Sequence, residues 1–231
     1  EINSLTYRGY AAQDLYAKCK FEEVAYLILN GELPNKKQLK DFEKQESKER
    51  KLSKTLIEAI KKIPKKAHPM DVARTAVSIM GLEDKETRDN SPKANMRKIM
   101  RIFSKTPVAL AAFYRSRKGK KIIPPKKKLS FSENFFYMCF GKVPNKDIVK
   151  AFDVSLILYA EHSFNVSTFT ARTITSSLSD IHGAITGAIA SLKGPLHGGA
   201  NEEVMHMMNK IKKPENALNW INKALDNKDV V

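Results

Sequence analysis

Two stretches of this sequence concentrate the residue types that do chemistry. In AEHSFNVSTFTAR, residues 160–172, His162 stands among Glu161, Ser163, Asn165, Ser167, Thr168, Thr170 and Arg172, directly after a strongly apolar run. Polar side chains at that density face a polar cavity or satisfy one another at a helix bend. In KGPLHGGAN, residues 193–201, Gly194 precedes His197 and Gly198 and Gly199 follow it. Glycine lets a backbone approach a ligand closely and adopt conformations that other residues avoid. Asn201 is expected to cap a helix with Glu202 and Glu203 in its first turn, which puts His197 a few residues ahead of a helix start. The positive end of a helix disfavours an imidazolium, so His197 reads as a neutral hydrogen-bond donor or acid. A Gly-rich helix start can instead hold phosphate, but the segment matches neither GxGxxG nor the GxxxxGK loop.

The other histidines read as structural. His68 sits beside the helix-opening Pro69, His206 lies among Met205, Met207 and Met208, and His182 stands in a run of small residues. Cys19 and Cys139 belong to no CxxC or Cys/His spacing, so neither a disulfide framework nor a structural zinc site is expected. They read as small buried hydrophobes in a reducing compartment. No metal or cofactor is called for.

The elements that must position the two histidine stretches are helices. Phe21–Asn30 is an apolar helix stopped by Gly31 and Pro34. Asn35, Ser53, Ser91 and Asn145 are N-cap candidates, and Ser130–Phe140 is an aromatic-rich helix ended by Gly141. Pro107 is expected to bend or restart the element it sits in. Pro214–Leu225, with the single tryptophan Trp220, forms the last helix. Gly183, Ala184, Gly187, Ala188 and Ala190 give one helix a small-residue stripe for close packing. Period-2 alternation is missing, so the class is all-α, read as one continuous helical domain over 1–231 with no internal boundary. No apolar run approaches the 18 or so residues that span a bilayer, and no membrane partner is expected.

The net charge is +16, with 41 Lys and Arg against 25 Asp and Glu. From 151 onward there are 7 basic and 8 acidic residues, so the first 150 hold the whole excess. A basic helical nucleic-acid-binding protein is the alternative this charge raises. Its clusters would be Lys61-Lys62, Lys65-Lys66 and the loop from Arg115 to Lys128. Aromatics are not interleaved among them, and no reader motif appears. A solvated basic surface that attracts anionic substrates is the preferred reading, with no nucleic acid as partner.

AEHSFNVSTFTAR followed by GAITGAIASLKGPLHGGANEEV resembles the centre of the citrate synthase family. LTYRGY at 5–10, FEEVAYLILNGELP at 21–34 and HPMDVARTAVS at 68–78 extend the resemblance over essentially the whole chain. The wording is most similar to bacterial 2-methylcitrate synthases. The resemblance implies a nearly all-helical, cytoplasmic homodimer without a cofactor. Its reaction would be condensation of an acyl-CoA with oxaloacetate, followed by thioester hydrolysis. Propionyl-CoA is the expected acyl donor, with acetyl-CoA, as in citrate synthase itself, the runner-up. Carried over, His197 is the catalytic histidine that donates to the acyl-CoA carbonyl, while His162 and Asn165 bind oxaloacetate. The family also needs an aspartate base, a Gly-x-Gly-His motif and carboxylate-binding arginines downstream. None of these is matched here, so the chain is expected to be the N-terminal and central portion of a synthase, inactive alone.

Overall fold

Side-chain caps open most helices where short polar residues precede an apolar run. The computed structural model of the chain describes residues 5–162 and 164–227. It resolves two compact units, Glu1–Ala190 and Ser191–Val231. The all-α expectation holds, with one short exception. LTYRGY forms a two-stranded hairpin, β1 (Thr6–Tyr7) antiparallel to β2 (Tyr10–Ala11), with Thr6 opposite Ala11 and Tyr7 opposite Tyr10. Positive φ at both Arg8 (52°) and Gly9 (89°) gives the tight turn that two-residue hairpins favour. Strands of two residues are too short to show alternation, which is why the pattern missed them.

Within the first unit, α1 (Ala12–Lys18), α2 (Phe21–Asn30), α3 (Lys36–Glu49), α4 (Lys54–Lys62) and α5 (Pro69–Glu83) lead to α6 (Pro92–Arg117). Asn35, Ser53, His68 and Ser91 each accept a first-turn backbone N–H, leaving fewer unsatisfied donors at those helix starts. Gly31 ends α2 in the left-handed region, at φ 94°. Pro107 neither ends nor restarts α6, which runs unbroken through it. The proline removes one helical hydrogen bond, yet Val108, Ala109, Ala111, Ala112 and Phe113 immediately after it are all buried. Packing on both halves of α6 outweighs that loss.

The halves of α6 serve two cores. Its first half packs Met100 and Phe103 with Tyr7, Leu15, Phe21, Val24, Leu27, Phe42 and Ile157. Its second half meets Leu52, Leu56, Ile60, Val72, Ala76, Met80 and Met138. A helix of 26 residues spans about 39 Å, enough to thread both. After α6 come α7 (Phe131–Phe140), ended by Gly141, then α8 (Lys146–Leu158), α9 (Val166–Ser176) and α10 (Ile181–Leu192). The small-residue stripe does bring helices together: a Cβ on Gly187 of α10 would lie 2.3 Å from Ile174 Cδ1 of α9.

The second unit holds the turn after α10, then α11 (Gly199–Ile211), a 3-10 turn at Pro214–Asn216 and α12 (Ala217–Asp226). The last expected helix thus divides at Ala217. Among the described residues no helix is long and apolar enough to cross a membrane.

Candidate active site

The His162 stretch is positioned from the far end of the chain. Tyr7 of the hairpin is buried, and its hydroxyl donates to the carbonyls of Ile157 (2.8 Å) and Leu158 (3.0 Å), the last residues of α8. Burial pushes this phenol above its ordinary range. The chain then passes through Glu161 and His162 to Phe164, which is almost fully exposed at φ 43°. Ser163, part of the polar cluster named from the sequence, lies outside the described residues.

Asn165 caps α9: its Oδ1 accepts the Thr168 N–H at 2.7 Å. The residue expected to bind substrate is thus also the one that starts the next helix. A cavity of about 450 Å³ opens here, lined by Glu161, Phe164, Asn165, Val166, Thr168, Phe169 and Arg172. Arg172 is the one cation among the described lining residues and can pair with a carboxylate. Its place in the polar cluster was readable from sequence, but its sharing a cavity with Asn165 was not. His162 is exposed beside this cavity in the chain and is not one of its lining residues.

His197 belongs to the second unit. Its N–H donates to Gly194 O at 3.0 Å, and the Gly199 N–H reaches the same carbonyl at 3.1 Å. The expected Asn201 cap is not what forms. The helix starts three residues earlier, at Gly199 with Gly198 as N-cap, and Asn201 lies within its first turn. His197 therefore sits directly ahead of α11. The glycines here also differ from expectation, since Gly198 is right-handed, at φ −67°. What it needs is space: a Cβ would lie 2.5 Å from Leu192 O, and one on Gly199 would lie 2.8 Å from Gly194 O. The turn folds against its own backbone and leaves the His197 side chain half-buried. His162 and Asn165 therefore share one segment of the first unit, while His197 is set in the second.

A further cluster escaped the sequence reading. His182, expected to be either packing or surface, is 2% exposed and lies between Asp84 and Asp180. Gly81 of α5 makes room for it: a Cβ there would stand 2.8 Å from His182 Cβ. Arg101 holds Asp84 through Nε (2.7 Å) and Nη2 (2.9 Å), and it also donates to Glu86 (2.8 Å). Arg97 and Arg101 together bring the Glu86 carboxyl down to about 2. His206, by contrast, is exposed near Glu202 (3.9 Å), and His68 Nδ1 accepts the Met70 N–H at the start of α5. Among the described residues no group of three or more His, Cys, Asp or Glu could hold a metal ion. Cys19 and Cys139 are free thiols, and burial pushes Cys139 up to about 11.

Both histidine turns, and the helices that carry them, fall within one family. The model described as the citrate synthase C-terminal domain matches residues 1–231, and the chain belongs to the citrate synthase family. It is 54% identical over 239 residues to 2-methylcitrate synthase 2 of Corynebacterium glutamicum, covering 100% of this chain and 62% of that protein. It is 49% identical to a citrate synthase of Mycolicibacterium smegmatis, covering 100% and 61%, and 48% identical to a 2-methylcitrate synthase of Mycobacterium tuberculosis, covering 100% and 58%. The crystal structure of citrate synthase from Thermotoga maritima superposes with a TM-score of 0.86 at 36% identity, covering 99% of this chain and 60% of that one. The Thermoplasma acidophilum citrate synthase, solved as a ternary complex with carboxymethyl coenzyme A and oxaloacetate, gives 0.87 at 30% identity over 95% and 57%. The chain thus spans about three fifths of the length of the relatives it matches. None of these relatives is named as a nucleic-acid binder, and the basic-charge alternative gains no support from them.

Proposed function

We propose that this chain is the part of a 2-methylcitrate synthase that carries His162, Asn165 and His197. The whole enzyme condenses propionyl-CoA with oxaloacetate and hydrolyses the resulting thioester, releasing CoA. The observation that carries this reading is the placement of His197 on a tight turn directly ahead of α11. There the ring donates to the acyl-CoA carbonyl and stabilises the enol formed as the α-proton leaves. The enol carbon then attacks the ketone of oxaloacetate, which His162 and Asn165 hold. Arg172, in the cavity with Asn165, supplies a positive charge for one of its carboxylates.

Relatives named 2-methylcitrate synthase at 54% and 48% identity support propionyl-CoA as the donor. The 49% identical citrate synthase supports a second reading in which acetyl-CoA reacts. One methylene in an apolar pocket is worth about 1–3 kcal/mol of discrimination, so both donors are expected to turn over. The homodimer, the cytoplasmic setting and the absence of a cofactor rest on the family resemblance. The aspartate base and the Gly-x-Gly-His histidine have no match in these residues, so the 231 residues alone are expected to be inactive.

A thiol-release assay tests both statements. The natural full-length protein is expected to favour propionyl-CoA over acetyl-CoA in kcat/KM, and the 231-residue chain to release no CoA. Normal turnover by the chain would overturn its proposed inactivity, and a preference for acetyl-CoA would select the second reading.

A further inference from the structure

A cavity in the first unit has no residue of either histidine turn in its lining. It encloses about 680 Å³ between α4, the second half of α6 and the loop that follows α6. Leu52, Ile57, Val108, Ile122 and Ile123 give it an apolar floor and wall. Lys51, Lys61, Lys120 and Lys121 stand around it, and among the described residues no carboxylate lines it. Lys61 pairs at 2.7 Å with Glu58, which lies outside the lining, so Lys51, Lys120 and Lys121 are the ammonium groups the site relies on.

The loop wall is held in place rather than draped. Arg115 donates through Nε to Lys121 O and through Nη1 to Cys139 O (3.1 Å), and the Lys120 N–H reaches Arg115 O at 2.9 Å. Further along, Arg50 Nη1 donates to the carbonyls of Lys126 and Leu129, both at 2.9 Å. The basic stretch therefore forms one side of a preformed concave site, of a size ordinary for small-molecule pockets.

We propose that this cavity binds a small amphipathic anion. Its alkyl or aryl body rests on Leu52, Ile57, Val108 and Ile123, and its carboxylate or phosphate meets Lys51, Lys120 and Lys121. The two halves of the site select the ligand jointly. A bare inorganic anion would leave the apolar floor wet, and a neutral hydrocarbon would leave the ammonium groups unanswered. A cation meets only repulsion, and a flat membrane or protein face does not fill a concavity. The assignment uses none of the residues given to acyl-CoA or oxaloacetate above.

Isothermal titration of the protein with decanoate, decyl phosphate and decyltrimethylammonium, below their micellar concentrations, tests it. Both anions are expected to bind at one site per chain, and the cation about tenfold more weakly or not at all. Lys120→Glu combined with Lys121→Glu changes two exposed side chains and should weaken decanoate about tenfold while leaving the melting curve in place. Ile123→Asp should abolish binding by placing a carboxylate in the apolar wall. Equal affinity for cation and anion, unchanged decanoate binding in both variants, or no binding at all would overturn the proposal. So would binding to phosphatidylglycerol vesicles without binding of the monomeric anions, which would make the loop a membrane contact instead.

Discussion

His182 Nε2 lies 3.5 Å from Asp84 Oδ2, and among the described residues no hydrogen bond reaches either ring nitrogen. On the other side, Nδ1 is 3.6 Å from Asp180 Oδ1, an atom already accepting the N–H groups of His182 and Gly183 at the start of α10. A neutral imidazole has one donor and one acceptor nitrogen, whereas ionised carboxylates only accept. Either tautomer therefore turns a lone pair towards a carboxylate. Burial is the strongest influence and pushes His182 below its ordinary value, reinforced by the nearby charges of Lys98 and Arg101. Asp84 and Asp180 pull the other way. Glu83, Glu86, Lys85 and Lys105 complete the charged groups around the adjoining cavity.

This arrangement makes the fold sensitive to mild acid. Because the folded-state value lies below that of the unfolded chain, the unfolded state takes up the proton first as pH falls. The contribution of His182 to stability is complete above about 6.5 and declines as pH drops below that towards the folded value. His182→Asn should therefore lose less unfolding free energy than the parent between pH 7.5 and pH 5, measured by urea titration. Equal losses in the two proteins would contradict the assignment.

Glycine substitutions separate close backbone approach from mere smallness. Gly198→Ala and Gly199→Ala would drive a methyl against the carbonyls of Leu192 and Gly194, and Gly81→Ala against the root of the His182 side chain. Each should cost about 1–3 kcal/mol. Gly187→Ala collides with the far end of the Ile174 side chain, which can rotate away, so it should cost less despite the shorter 2.3 Å approach. Chemical denaturation ranks the four, and a Gly187→Ala loss as large as that of Gly198→Ala would refute the distinction.

Arg50 and Glu46 form an ion pair whose side chains are 5% and 2% exposed. Arg50 also holds two carbonyls of the basic loop. Arg50→Ala strands a buried carboxylate and frees that loop, so a loss of about 3–5 kcal/mol is expected. Replacing both residues by leucine removes the stranded charge and should cost less than the single change. Melting temperatures of the two variants give the comparison, and the reverse order would show that the stranded Glu46 charge is not the main loss.

Local signals were legible and distant ones were not. Asn35, Ser53, Ser91 and Asn145 cap the helices expected of them, and Gly31 and Gly141 end theirs, because each needs only its own neighbours, while Ser130, expected as the first helical residue, is instead the N-cap. Asn201 misled for the same reason: a good local cap yielded to a turn that the Gly194 carbonyl organises from five residues away. Pro107 stayed helical because the burial that follows it is tertiary. His182 looked like filler since Asp84, Gly81 and Arg101 reach it only through the packing of α5 and α6.

Asn165 allows capping and substrate binding to be told apart. Its Oδ1 accepts the Thr168 N–H, a role that aspartate fills equally well and alanine cannot. Asn165→Asp should therefore keep the stability of α9, whereas Asn165→Ala should lose about 1 kcal/mol. If the side-chain amide also donates to oxaloacetate, aspartate replaces a donor with a negative charge facing a dianion. Oxaloacetate binding by the full-length Asn165→Asp protein should then fall by about tenfold or more, with its melting temperature unchanged. Thermal unfolding and oxaloacetate titration on the same two variants read the roles separately. Parent-like binding in Asn165→Asp would leave Asn165 a helix cap only.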